Sequence, residues 1–378
     1  MIKNIQAFRL TIIAVSFLLS VQPSLAQEIA GATQSAQMPS PPVIAKNPQA
    51  EQSYNLGLQA EARQDFAEAM KRMQEAAEQG FAPAQNHIGQ MYFKGLGVSQ
   101  NLIEAMKWYR KAADQGYGAA EDNLGNLYLR GVGVSKKYAY EDAMKWYLKA
   151  ARHGITEADK NIGFLYRHGL GVPQDSHEAI KWYQVAAEKG DINAQNLVGE
   201  IYLHDPGAMD YTAAMTWYRK TADKGNAIGE SMVGWMYLFG LGVPKDITEA
   251  KRWYQKAAVQ GNATAENQLG WINVNFDPKD YVLAMQWYKK SAAQNYSTAK
   301  NNIGYLYENG LGVAQDYTEA MRWYLQAAGQ GYSHAWFHIG HFYDQGLGVP
   351  RDLEKAREYM KKAAGVGDKE AQQWLQAH

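Results

Sequence analysis

Residues 84–116 read AQNHIGQMYFKGLGVSQNLIEAMKWYRKAADQG, and this stretch decides the fold. In its first part Ala84, Ile88, Met91 and Tyr92 fall at i, i+4, i+7 and i+8, the spacing of one helix face. In its second part Ala105, Trp108, Tyr109, Ala112 and Ala113 fall at i, i+3, i+4, i+7 and i+8, a complete apolar stripe. The stretch therefore predicts two short helices, A and B, joined by a glycine-rich turn. The pattern recurs from about residue 51 to the end, each copy marked by a glycine inside helix A: Gly57, Gly89, Gly125, Gly163, Gly199, Gly234, Gly270, Gly304 and Gly340. Spacings of 32 to 38 residues make nine repeat units.

The chemistry at the boundaries repeats as well. Helix B is expected to open on Asp65, Asn101, Asp175, Asp210, Asp246, Asp280, Asp316 and Asp352, each four residues before an alanine, because such side chains accept from the free amides of a first turn. Glutamate three residues after several of these caps (Glu178, Glu249, Glu319) predicts a capping box. The third copy has Ala139 and a two-residue insertion instead. Helix B is expected to stop at Gly80, Gly116, Gly154, Gly190, Gly225, Gly261, Asn295, Gly331 and Gly367, residue types that tolerate the left-handed conformation. Paired glycines at Gly95, Gly131, Gly169, Gly240, Gly310 and Gly346 read as A-to-B turns; a phosphate loop would need a preceding strand, and no strand pattern is present. His204-Asp205-Pro206 and Asn275-Phe276-Asp277-Pro278 replace the pair in the fifth and seventh copies.

An interior helix glycine costs about 1 kcal/mol relative to alanine, so nine of them require compensation from close packing. Trp108, Trp146, Trp182, Trp217, Trp253, Trp287 and Trp323, each followed by tyrosine, are expected to supply large buried area beside these small residues. Arg72-Met73 and Tyr359-Met360 take those places in the end copies, as terminal units of an array should differ.

Composition narrows the function. Acidic and basic residues number 38 each, and loss of Lys3 and Arg9 with a leader would leave 36 basic against 38 acidic, which disfavours a nucleic-acid partner. Cysteine is absent, excluding disulfides, thiol catalysis and cysteine zinc sites. Lys3 and Arg9 precede an apolar run from Leu10 to Val21 and a Ser24-Leu25-Ala26 sequence, read as a signal peptide (residues 1–26) cleaved after Ala26. The run is too short to span a bilayer, so no stable membrane insertion is expected after cleavage and the mature chain is placed in the periplasm or outside the cell. Residues 27–50, with four prolines among Ala, Ser and Gln, read as a disordered tail, leaving 51–378 for the repeats.

The motif A-x4-LG-x-LY-x-x-G-x-GV-x-x-D-x-x-x-A-x-x-WY-x-KAA-x-x-G resembles the Sel-one-like repeat (SLR) family, related to tetratricopeptide repeats, over about 320 of the 378 residues. The resemblance implies an all-α, right-handed superhelical solenoid of about nine antiparallel helix pairs with helix A on the concave side, here followed by a short C-terminal capping helix. It also implies a non-catalytic scaffold or regulator of the bacterial envelope, holding a protein or peptide, with no cofactor. A cysteine-rich subgroup is linked to β-lactam binding or hydrolysis; this cysteine-free chain departs from it, and such activity is carried as the alternative.

Residues that repeat faithfully serve the fold, so partner-binding groups are sought where copies differ. Directly after the marker glycine, at a position pointing roughly 150° from the apolar stripe at 100° per residue, stand Gln90, Asn126, Phe164, Glu200, Trp235, Trp271, Tyr305 and His341. Phe164, Trp235, Trp271 and Tyr305, with Phe337 and His341 in the last full unit, are the expected partner-binding surface, since aromatic anchors dominate interface energetics; burial between crowded A helices is the competing reading. His334, His338 and His341 fall within about 60° on one helix, which raises metal binding as an option beside simple surface polarity. Ser297-Thr298-Ala299-Lys300 matches the serine-lysine motif of β-lactamases, but neither Ser-Asp-Asn nor Lys-Thr-Gly accompanies it, so no catalytic residue is assigned.

Overall fold

The computed structural model describes residues 47–135 and 138–378, and among them the regular structure is 19 helices with no strand. Two compact units divide the chain between Ala194 and Gln195. The first holds α1 (Pro48–Ala62), α2 (Phe66–Glu78), α3 (Ala82–Lys94), α4 (Leu102–Ala113), α5 (Gly118–Leu129), α6 (Ala139–Arg152), α7 (Thr156–His168) and α8 (Ser176–Glu188). Helix α9 (Ile192–His204) begins at the division. The second unit holds α10 (Tyr211–Ala222), α11 (Ala227–Phe239), α12 (Ile247–Val259), α13 (Ala263–Asn275), α14 (Tyr281–Ala293), α15 (Ser297–Asn309), α16 (Tyr317–Ala328), α17 (Ser333–Gln345), α18 (Leu353–Gly365) and the closing α19 (Lys369–Ala377). Odd-numbered helices up to α17 are A helices and even-numbered ones are B helices. Within each unit the extensive helix contacts join chain neighbours, so each is a solenoid-type stack of the expected class.

The eight expected caps all form. Asp65, Asn101, Asp175, Asp210, Asp246, Asp280, Asp316 and Asp352 each accept a first-turn amide at 2.8–3.1 Å. Helix α6, where Ala139 breaks the pattern, starts after Tyr138 with no side-chain cap. The reciprocal half of the capping box is replaced. The amides of Asp175, Asp246 and Asp316 instead donate across the turn to the carbonyls of Tyr166, Tyr237 and Tyr307, each at 3.0 Å. Glu178, Glu249 and Glu319, relieved of that role, pair with Lys181, Arg252 and Arg322 one helical turn on. The glycine turns at Gly95, Gly169, Gly240, Gly310 and Gly346 are thus each stitched by a bond from the start of B to the end of A.

Those turns need the left-handed region twice, at φ 73° for Gly95 and 68° for Gly97, and the same pairing recurs in the other five glycine turns. Asn295, standing where the other copies have glycine, has φ 66°.

The partner of the marker glycine is the tyrosine of the Trp-Tyr pair, whereas the indole was expected there. A Cβ on Gly89, Gly125, Gly270 or Gly304 would lie 2.4 to 2.8 Å from ring carbons of Tyr109, Tyr147, Tyr288 or Tyr324. These phenols are buried; of the seven indoles Trp146, Trp182 and Trp253 are buried as expected, while Trp108, Trp217, Trp287 and Trp323 are only half covered. In the end copies Met73 and Met360 fill the same space over Gly57 and Gly340.

A polar pin joins the end of B to the start of its own A in successive hairpins. Gln115 meets Gln85 at 2.7 Å, His153 meets Glu121 at 2.6 Å and Lys189 meets Asp159 at 2.6 Å in the first unit. Gln260 meets Glu230 at 2.7 Å and Gln294 meets Glu266 at 2.8 Å in the second. The A-helix members are buried, so each pairing satisfies a group that would otherwise oppose folding and fixes the register of the hairpin.

At the N-terminal side the helix begins at Pro48, inside the segment read as a tail to residue 50. Asn47 caps it by accepting from the amide of Ala50 at 3.1 Å, and proline at the first helical position has its φ already set. The signal peptide, its cleavage point and residues 27–46 of the tail lie outside the described residues.

Candidate functional site

In the second unit the position after the marker glycine presents Trp235 on α11, Trp271 on α13, Tyr305 on α15 and His341 on α17. Tyr305 is 42% exposed. Trp235 and Trp271 are half-buried: Trp235 leans on the cores around Val233 and Tyr254, and Trp271 on the core around Leu269 and Ile272. Each carries an aromatic companion further along the chain, Phe239 at 5.2 Å from Trp235 and Phe276 at 5.6 Å from Trp271 between ring centroids. Phe239 is itself exposed, so the surface is two rings wide at this point. In the first unit Phe164 is 39% exposed and lies against His168 at 4.3 Å. These edge-to-face and tilted pairs restrain the rings and leave apolar faces accessible, a low-entropy arrangement for gripping a partner. Phe337 behaves differently, packing half-buried against Met360, Ala363 and Ala371 near the end of the chain.

The three histidines of α17 each lie against an aromatic ring, with Phe337 also edge-on to His338 at 5.9 Å. His334 stacks near Tyr332 at 5.4 Å, His338 lies flat on Tyr324 at 4.4 Å, and His341 stacks on Phe337 at 6.3 Å. Among the described residues no group of three or more His, Cys, Asp or Glu is placed to hold a metal ion, so the one-face spacing of these histidines does not become a ligand set.

A group that sequence reasoning passed over sits beside them. Glu308 accepts from the Tyr324 hydroxyl at 2.5 Å and meets His338 Nδ1 at 3.2 Å. Burial alone would raise its carboxyl, but hydrogen bonding from His338 and Tyr324 holds it below the usual range. Burial and the adjacent carboxylate raise the Tyr324 phenol. In the first unit His87 meets Glu61 at 2.6 Å in the same relation between consecutive A helices. The signal was available: four residues after the marker glycine five copies carry apolar side chains, Phe93, Leu129, Leu203, Leu238 and Val274, where the carboxylates Glu61, Glu308 and Asp344 stand out.

The serine-lysine pair lies in the first turn of α15. Lys300, 7% exposed, donates to Asn295 Oδ1 at 2.6 Å, which anchors the preceding left-handed stop. A role in holding the turn accounts for it. No helix of the described residues is long and apolar enough to cross a membrane.

Comparison with known proteins matches this arrangement throughout. The Sel1 repeat model fits nine successive segments: 52–81, 82–117, 118–155, 156–191, 192–226, 227–262, 265–296, 297–332 and 334–368. The chain is similar to c5321, a protective antigen of uropathogenic Escherichia coli strains displaying an SLR fold, at 30% identity and TM-score 0.63, over 92% of this chain and 80% of that one. It is also similar to a Sel1 repeat protein from Oxalobacter formigenes, at 27% identity and TM-score 0.70, over 92% of this chain and 98% of the other. No curated protein matches it.

Proposed function

This chain belongs to the Sel1 repeat family, and from that premise we propose that it is a non-catalytic scaffold of the bacterial envelope or the secreted fraction, gripping a peptide segment of a partner protein on its A helices. One observation carries the reading. At a position where the fold imposes no residue type, the second unit places Trp235 with Phe239, Trp271 with Phe276, and exposed Tyr305 on successive A helices. Aromatic groups that are held in place and still reachable act as anchors, because little side-chain freedom is lost on binding. The buried polar groups nearby, Glu308 with His338 and Tyr324 and Lys300 with Asn295, are internally satisfied and serve to join repeats.

The test is affinity capture from the source organism with the chain from Gln27 onward as bait, comparing wild type with a Trp235→Ala, Trp271→Ala variant of unchanged helical circular dichroism. Loss of the captured protein is expected, and an unchanged capture profile would remove the aromatic positions as the binding surface. Export is tested separately, by N-terminal sequencing of the mature protein; cleavage after Ala26 is expected, and recovery of an intact leader in the cytoplasm would refute it.

A further inference from the structure

We propose that the first unit carries a second docking surface, a basic groove between α4, α5 and α6 that takes the carboxylates of an acidic peptide segment; the proposal rests on the scaffold reading only in supposing that its ligand is a protein. The groove encloses about 320 Å³ and is lined by Arg110 from α4, Tyr128 from α5, and Asp142, Lys145, Trp146, Lys149 and Arg152 from α6. Four cations therefore face one carboxylate. That carboxylate, Asp142, is already paired with Lys145 at 3.1 Å. Arg110, Lys149 and Arg152 have no carboxylate within ion-pair distance among the described residues, and the nearby Glu121 is nearly buried and held by His153 at 2.6 Å.

The cations are also oriented. The Arg110 guanidinium donates to the Tyr128 hydroxyl at 2.5 Å and stands 4.7 Å from the centre of the Trp146 ring, while Lys149 Nζ approaches the same indole at 4.0 Å. An indole flanked by two cations keeps them in place without neutralising them. A planar guanidinium so held is matched to a carboxylate, and charges drawn from two helices along a groove suit a chain bearing several carboxylates better than one compact ion.

Lys149 recurs with the repeat, as Lys111, Lys220, Lys256 and Lys290 over their own indoles, whereas the cations around it vary between copies. The residue after Trp-Tyr is Arg110 here, basic again as Arg219 and Lys289 in two other copies, and Leu148, Gln184, Gln255 and Leu325 in the remaining four. The place of Arg152 is taken by Asp114, Glu188, Asp223, Val259, Ala293 and Gly329 in the other Trp-Tyr copies. In a chain whose basic and acidic residues balance at 38 each, Arg152 adds to the recurring cations a charge that no other Trp-Tyr copy has at its place, which makes the excess in this groove a local feature.

The probe is a fluorescently labelled hexaglutamate peptide, with hexaglutamine as control, followed by anisotropy against the chain from Gln27 onward. Binding should be seen for hexaglutamate alone and should disappear at about 1 M salt, where the screening length falls to about 3 Å. Arg110→Gln, Lys149→Gln, Arg152→Gln together should weaken it at least about tenfold, the equivalent of 1.4 kcal/mol. Arg152→Gln alone, at an exposed position, gives the smaller loss if the triple variant folds poorly. The Trp235→Ala, Trp271→Ala variant should bind the peptide normally, so failure of one surface is read independently of the other. Unchanged binding by both groove variants overturns the proposal, as does complete displacement by inorganic phosphate at matched charge, which would make the ligand a free oxyanion.

Discussion

Adding one methyl group at Gly125 tests whether the tyrosine-on-glycine contact organises the core. A Cβ built there lies 2.4 Å from Tyr147 Cε1, 2.6 Å from Cδ1 and 3.0 Å from Cζ. Carbon atoms rest at about 3.5–4.0 Å, so the ring must retreat by about 1 Å. It has little room to do so, since Tyr147 is fully buried and its hydroxyl is tied to Asn126 Oδ1 at 3.0 Å. Overpacking of this kind costs about 1–3 kcal/mol, and losing the hydroxyl bond adds about 1 kcal/mol. Alanine returns about 1 kcal/mol of helix propensity. Gly125→Ala should therefore destabilise by about 1–3 kcal/mol. Gly340→Ala is the internal control: its nearest neighbours are Met360 Cγ at 3.1 Å and Cε and Sδ at 3.2 Å, atoms of a flexible side chain that can shift. That variant should be neutral or stabilised by up to about 1 kcal/mol. Thermal unfolding followed by circular dichroism ranks the variants, and hydrogen exchange across α5 and α6 localises the loss, since repeat arrays need not unfold in one step. Tyr147→Met, which copies the terminal units, should recover part of the Gly125→Ala loss. A Gly125→Ala protein as stable as wild type, or an equal loss at Gly340, would refute the packing argument.

Burial pushes the Asp122 carboxyl up to about 6, despite hydrogen bonds from Asn161 and Asn126, so the folded state favours the protonated acid. Stability from this group is then greatest below the ordinary carboxylate value and is lost as pH rises through about 6; Asp122→Asn should remove that slope, worth on the order of 3 kcal/mol, as read from urea midpoints at both ends of the window. Glu308 has the opposite sign: its carboxyl is held low by His338 and Tyr324, so its contribution is present above the ordinary glutamate value and lost as pH falls through the depressed one. Glu308→Leu, which installs the residue type common in the other copies, should destabilise by about 1–3 kcal/mol at neutral pH by leaving the buried Tyr324 hydroxyl without its acceptor, measurable in the same titration. Asn295→Gly relaxes a left-handed backbone yet should lower the melting temperature, because the nearly buried Lys300 ammonium loses Asn295 Oδ1; a rise would show that backbone strain outweighs that bond.

The repeat, its helix boundaries and its turn chemistry were legible in the amino-acid sequence because they rest on local physics. A cap such as Asp246 needs only the amide of Glu249, three residues away, and a stop such as Gly261 needs only its own φ. Nine copies of the same local solution made the reading redundant, and its one predicted failure, at Ala139, appears as an uncapped helix. Tertiary structure decided whatever depends on two segments meeting. Whether Trp146 or Tyr147 covers Gly125 turns on the rotation of α6 against α5, which periodicity leaves open because adjacent residues both fall on the buried arc. The caps' amides crossed the turn to tyrosine carbonyls, a choice set by how closely A and B approach. The histidines of α17, sharing one side of the helix, settled against the rings of Tyr332, Tyr324 and Phe337, an outcome fixed in part by rings outside that helix. Trp235 and Trp271, placed on an open face by their phase, were half covered by neighbouring cores. Spacing along a chain states which residues share a side of one helix; contacts between helices determine what that side finally meets.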